Sequence, residues 1–139
     1  MKVVSETIKL STNGHTDVVD ITSQVATIVH HSRIEGGIAT IFVVGSTAGI
    51  TTIEYEPGLV NDIKEAFERI APLNAHYDHH ERWGDDNGHS HIRASLLGPS
   101  ITVPFCNKKL ILGTWQQIIL IDFDTRRRER EIVVQLLGA

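Results

Sequence analysis

Ile101-Thr102-Val103-Pro104-Phe105, Lys109-Leu110-Ile111-Leu112, Trp115-Gln116-Gln117-Ile118-Ile119-Leu120-Ile121-Asp122-Phe123 and Glu129-Arg130-Glu131-Ile132-Val133-Val134-Gln135-Leu136-Leu137 follow one another with no room for a helix between them. Each run is short, and rich in β-branched or aromatic residues. Turn formers at Gly98-Pro99-Ser100, Asn107-Lys108 and Asp124-Thr125 separate them, so the spacing predicts successive strands. Upstream, His89 to Leu97 reads as one more strand after the Asn87-Gly88 turn. Ile38 to Val44 reads as a strand buried on both faces, Gly45-Ser46-Thr47-Ala48-Gly49 as a turn and Ile50 to Glu54 as a further strand. At the N-terminus, Val4, Ile8 and Leu10 keep an approximate period of two before the Asn13-Gly14 turn. Helical spacing occurs twice: Ile21, Val25, Ile28 and Val29 in a helix from Asp20 to about Arg33, and Leu59, Ile63, Ala66, Phe67 and Ile70 in a helix opened by Pro57-Gly58 and stopped by Pro72. Two main helices among many strands, without regular alternation, predict an α+β fold with mixed or antiparallel sheets rather than a doubly wound parallel sheet.

The 139 residues suit one domain, 1–139, and no composition break or repeat divides them. With 41% hydrophobic and 22% charged residues, neither disorder nor a membrane span is expected. No signal-peptide pattern opens the chain, and Cys106 is its only cysteine. A cytoplasmic location fits both observations. No histidine or other signature adjoins Cys106, so the expectation for it is a packing role. A net charge of −4 argues against nucleic-acid binding, which needs a basic face. The mixed-sign run Arg126 to Glu131 reads as a solvated hairpin tip.

Eight histidines are present, five of them between His76 and His91. They fall where the apolar period vanishes for about fifteen residues after Pro72, the kind of long loop that in a compact domain is functional or disordered. If His89 opens a strand, His89 and His91 project from the same face and can chelate a borderline metal such as Zn²⁺ through neutral imidazole. His79 is the natural third ligand, with His80, Asp85 and Asp86 in reserve. Glu54 offers a carboxylate ligand or a general base. The opposing reading makes these ordinary loop histidines, and His15, His30, His31 and His76 are left to it. The Gly45 to Gly49 turn with Thr51 and Thr52 reads either as an anion-binding nest or as a plain turn. Trp115 and Gln116 read as a ligand wall or as packing.

The stretches Gly-Ser-Thr-Ala-Gly-Ile-Thr-Thr-Ile-Glu-Tyr-Glu-Pro-Gly (45 to 58), Trp-Gly-Asp-Asp-Asn-Gly-His-Ser-His-Ile-Arg-Ala-Ser-Leu-Leu-Gly-Pro-Ser (83 to 100) and Leu-Gly-Thr-Trp-Gln-Gln-Ile (112 to 118) together closely resemble the YjbQ-like family, also called the secondary thiamine-phosphate synthase family. The resemblance implies sandwiched β-sheets and a homotrimer. It also implies one pocket, between subunits, that gathers the Ser46 to Glu54 segment, the 79 to 91 histidines and the Gly113 to Gln116 motif. The implied activity joins hydroxymethylpyrimidine diphosphate to thiazole phosphate. On that reading Glu54 and Arg93 are the catalytic candidates, Ser46, Thr47, Thr52, Trp115 and Gln116 bind a small phosphorylated metabolite, and His79, His89 and His91 hold a divalent metal, a transition metal by ligand type although Mg²⁺ is the usual partner of a diphosphate. A metal-assisted hydrolase and a non-catalytic metal- or metabolite-binding oligomer are the alternatives.

Overall fold

The computed structural model describes residues 1–139 apart from the side chains of Arg82 and Trp83. In chain order the elements are β1 (Lys2–Thr12), β2 (Asp17–Asp20), α1 (Thr22–His31), β3 (Gly37–Val44), β4 (Ala48–Ile53), α2 (Pro57–Ile70), α3 (Asp78–Trp83), α4 (Gly88–Leu97), β5 (Ser100–Cys106), β6 (Lys109–Leu110), β7 (Gln117–Asp122) and β8 (Arg128–Gly138). The strands form a five-stranded sheet in the order β1-β8-β3-β5-β6 and a three-stranded sheet in the order β2-β7-β4. All pairings are antiparallel.

β7 explains why the molecule has layers. Every residue from Ile118 to Phe123 is buried, and the pleat sends alternate side chains to opposite faces. Ile118 and Leu120 join Ile21, Val25 and Val29 of α1 and the inner residues of the five-stranded sheet, Ile41, Val43, Ile132, Val134 and Leu136. Ile119, Ile121 and Phe123 face the other way, onto Ala94 of α4 and onto Val60, Ile63 and Phe67 of α2. The order across the molecule is therefore five-stranded sheet, main core with α1, three-stranded sheet, then α2 and α4.

Several local expectations change. β3 is buried on one face only: Ala39, Ile41 and Val43 point into the core, while Ile38, Phe42 and Val44 are exposed on the outside of the sheet. The doubly buried strand is β7. The loop after Pro72 contains α3, and residues 89–97, expected as a strand, lie within the helix α4, so there are four helices. α4 can lie close over β4 because Gly49 has no side chain; a Cβ there would sit 2.8 Å from the Gly98 carbonyl oxygen. Cys106, expected to pack, is exposed at the end of β5.

A buried charge network ties the β7–β8 turn to both sheets. Arg130, expected on a solvated tip, is buried and forks Asp122, with Nε 2.6 Å from Oδ2 and Nη2 2.9 Å from Oδ1. Thr12 donates to the same carboxylate at 2.5 Å. Arg128 Nε donates to Asp124 at 2.8 Å. Arg126 and Arg127 alone of the arginine run are exposed, as expected for a tip.

Candidate functional site

α4 begins beside the turn that carries Asp124. Ser90 Oγ donates to the Phe123 carbonyl oxygen, which pins the first turn of the helix to the end of β7. Gly88 makes room for the Tyr77 ring, since a Cβ would lie 2.5 Å from the tyrosine Cβ. Tyr77 is anchored by its hydroxyl, which donates to the Pro72 carbonyl oxygen at 2.5 Å.

The helix changes what His89 and His91 can do together. Residues two apart on an α-helix point about 200° from each other, whereas on a strand they share a face. His89 turns inward and is 2% exposed; its ring lies 6.3 Å from that of Tyr77, and its Nδ1 has no hydrogen-bond partner. His91 turns toward His79, with ring centroids 4.4 Å apart and planes tilted by 41°. The same-face reading of the pair is therefore corrected: the imidazole neighbours are His79 and His91.

Carboxylates surround this pair. His79 Nδ1 lies 3.4 Å from Asp85 Oδ1, and His80 Nδ1 lies 2.8 Å from Asp86 Oδ1. The Asn87 amide sits between Asp124 and Asp85: Nδ2 reaches Asp124 at 3.4 Å in one orientation and Asp85 at 3.0 Å in the other. A cleft of about 500 Å³ opens here, lined by His76, Tyr77, His79, Gly88, His91 and Ile92 among others.

The electrostatics favour the neutral form of both helix histidines. Burial lowers the His91 pKa, the neighbouring His79 lowers it further, and Asp124 and Asp85 only partly oppose them. Burial also lowers the His89 pKa, helped by the Arg93 guanidinium. Burial alone would raise the Asp124 pKa, but the Thr125 amide and the Arg128, Thr47 and Asn87 side chains outweigh it and hold the carboxyl at about 2.

Neutral imidazole is the form that binds a transition metal, so His79 and His91 with the Asp85 carboxylate fit such an ion by donor chemistry. His89 lies outside this group. Among the described residues, the one set of three donors within 4.8 Å of one another is His76, Asp78 and Glu81, all exposed, and His76 and Asp78 line the same cleft.

The other predicted site residues divide between the two ends of the three-stranded sheet. Thr47 is at the histidine end, but its hydroxyl is inside the buried network, donating to Asp124 at 3.0 Å and accepting from Arg130 at 2.7 Å. Ser46 beside it is exposed. Arg93 is buried and its donors are engaged: Nε and Nη2 donate to the Ala71 carbonyl oxygen, Nη1 to Thr16 and Nη2 to Glu68 at 2.7 Å. It clamps α4 to α2 and to the β1–β2 turn. At the opposite end, Gln116 Nε2 donates to Thr52 Oγ1 at 3.0 Å and Gln116 Oε1 accepts from the Gly113 amide at 3.0 Å. Glu54 and the exposed Trp115 line a separate cleft there, of about 350 Å³. The five residue steps of β4 from Ala48 to Ile53 span roughly 17 Å, so one chain does not bring Glu54 to His91.

Sequence reasoning missed Asp124 and Tyr77. Tyr77 lies inside the histidine segment with no motif to mark it, and Asp124 reads from sequence only as a turn residue.

The family model described as UPF0047 protein, YjbQ-like, matches residues 6–139. A UPF0047 protein of Methanothermobacter thermautotrophicus is 38% identical, over 94% of this chain and 90% of its own length. YugU of Bacillus subtilis is 31% identical over 96% and 98%. Among solved structures, a YbjQ-like protein of unknown function from Sulfolobus solfataricus superposes with a TM-score of 0.93 at 40% identity, covering 99% of both chains. A family member from Clostridium acetobutylicum superposes with a TM-score of 0.86 at 35% identity, covering 95% of this chain and 99% of its own.

Proposed function

This chain belongs to the YjbQ-like UPF0047 family, and we propose that it is a metal-dependent enzyme acting on a small phosphorylated substrate in the cleft beside His79 and His91. The observation that carries the proposal is the His79–His91 imidazole pair itself, 4.4 Å between centroids and backed by Asp85. Two imidazoles brought into contact at an open cleft, with a carboxylate beside them, give up hydration that a purely structural role would not require.

His79, His91 and Asp85 would hold the ion, and a bound divalent cation would supply electrostatic stabilisation of a diphosphate leaving group. His89 stays inside the fold, where its ring supports Tyr77 and the first turn of α4. Arg93 and Thr47 act by positioning, Arg93 by fixing α4 and Thr47 by fixing the turn between β3 and β4. Exposed Ser46 remains for direct contact with substrate.

Glu54, Trp115 and Gln116 enter the same reading through a second copy. Their end of the three-stranded sheet faces away from the histidines, so a head-to-tail arrangement would set the Trp115 end of one copy against the histidine end of the next. A heterologous contact of this kind closes into a ring when the rotation between copies divides a full turn, and a homotrimer is the ring we propose. The location proposed is the cytoplasm; among the described residues, no helix is long and apolar enough to cross a membrane.

Condensation of hydroxymethylpyrimidine diphosphate with thiazole phosphate is the first reaction to assay, with Mg²⁺, Mn²⁺ and Zn²⁺ in turn. Release of pyrophosphate by the wild type and its loss in His91→Ala is the expected result. Equal rates in the two proteins under every metal would overturn the assignment.

A further inference from the structure

The cleft at the far end of the three-stranded sheet has its own chemistry. Trp115 is 72% exposed, an unusual position for the largest apolar side chain, and it is not on a loose loop. Gln116 ties its segment to Thr52 and to the Gly113 amide. Tyr55 stands half exposed in the same cleft and is held by its hydroxyl, which donates to the Val18 carbonyl oxygen at 3.2 Å. One anchored aromatic ring, Tyr55, and a second, Trp115, exposed on a braced segment, thus line a hollow of about 350 Å³.

The charge of the hollow is one-sided. Glu54 and Glu56 both line it, and no Lys, Arg or His does. The Glu56 carboxylate is engaged, accepting from the Gly58 and Leu59 amides at 2.8 Å each, where it caps α2. Glu54 is in none of the ion pairs among the described residues. An anion would meet uncompensated negative charge here, and a bare metal ion would find a single available carboxylate. An organic cation satisfies both halves of the site at once, its charge on Glu54 and its apolar envelope against the indole, because the face of Trp is the strongest aromatic attractor of a soft cation.

We propose that Trp115, Tyr55 and Glu54 form a binding site for an organic cation, an alkylated ammonium or a guanidinium group. The inference rests on the reading above only in taking this end of the sheet as a binding surface; it needs neither the metal nor the histidines.

Choline and its neutral isostere 3,3-dimethyl-1-butanol test it directly on the full-length chain. In a Trp83→Phe background Trp115 is the only tryptophan, so its emission reports occupancy at constant ionic strength. Choline should change the emission saturably with a Kd on the order of millimolar. The alcohol should bind about tenfold more weakly, and Glu54→Gln should weaken choline by a similar factor while leaving the alcohol unchanged. Saturation-transfer NMR with Trp115→Ala should show the choline signal lost. Sedimentation distinguishes two sources of cation: a free ligand leaves the assembly size unchanged, whereas choline that displaces a cationic side chain of a second copy shifts it to smaller species. Equal binding of choline and the alcohol, or an unaltered choline affinity in Glu54→Gln, overturns the proposal, and neither result bears on the His79–His91 reading.

Discussion

Arg130 grips Asp122 with two hydrogen bonds, 2.6 and 2.9 Å long, in a place where the Asp122 side chain has no contact with water. Because β8 belongs to the five-stranded sheet and β7 to the three-stranded one, this pair joins the two sheets at the end where the histidines lie. Removing one partner leaves a buried charge uncompensated. Asp122→Ala should therefore cost about 3–5 kcal/mol in urea unfolding, and Arg130→Lys should recover only part of the loss from Arg130→Ala because an ammonium cannot make the fork. A cost below about 1 kcal/mol for Asp122→Ala, the range of an exposed pair, would show that the network does not join the sheets.

Asp124 sets the acid limit of the same region. Its folded pKa, about 2, lies below the ordinary value of 3.8, so it binds its proton more readily when the chain is unfolded. Its contribution is fully present above the unfolded value and is lost as pH falls through the folded one. Stability measured by denaturant titration should fall between about pH 4 and pH 2, and Asp124→Asn should flatten that fall while lowering stability at neutral pH. An unchanged acid slope in the variant would remove Asp124 from this role.

α2 is held by few contacts. It has no fully buried residue, and its anchor is the edge-on packing of Phe67 against Phe123, with centroids 4.8 Å apart at 61°. Phe67→Ala should cost about 2–3 kcal/mol, less than a fully enclosed phenylalanine, and hydrogen exchange in 57–70 should rise more than in β7. Uniform exchange across both elements would mean that α2 opens only with the whole molecule.

The way these regions read from sequence has physical causes. The strands at 100–106 and 128–138 and the helix at 57–70 were legible because each turns an apolar face inward with its own period, and the strand at 117–122 because it is a continuous, mostly β-branched run buried on both faces. α4 was not, because it turns polar residues inward: His89, Ser90 and Arg93 are buried while Ile92 and Leu96 are exposed. That inversion removes the helical stripe and leaves Asn87-Gly88 looking like the start of a strand. α3 lacks an apolar stripe to announce it. β3 is apolar on both faces yet covered on one, a difference that composition cannot express. For the site, the histidine segment and the Gly113 to Gln116 motif were both visible, but not the separation between them. That separation depends on the antiparallel register of β4 with β7, Ala48 opposite Asp122 and Ile53 opposite Gln117.

The coupling of the two imidazoles has a measurable sign. His79 and burial both hold the His91 pKa below 6.5. In His79→Ala one of these causes is gone and the His91 pKa should rise toward 6.5, while that of His89, lowered by burial and Arg93, should stay where it is. Imidazole NMR shifts followed from pH 4 to 8 read both groups in one titration. A lower His91 pKa in the variant would contradict the geometry.

Metal uptake tests the central claim most directly. Tag-free protein dialysed against Zn²⁺, Mn²⁺ or Mg²⁺ and then analysed by mass spectrometry for bound metal should hold a transition metal stoichiometrically. His79→Ala and His91→Ala should each lose it, while a His30→Ala control, on α1 and away from this cleft, should retain it. A wild-type protein that takes up no metal, or His79→Ala and His91→Ala variants that hold as much as the wild type, would contradict the account.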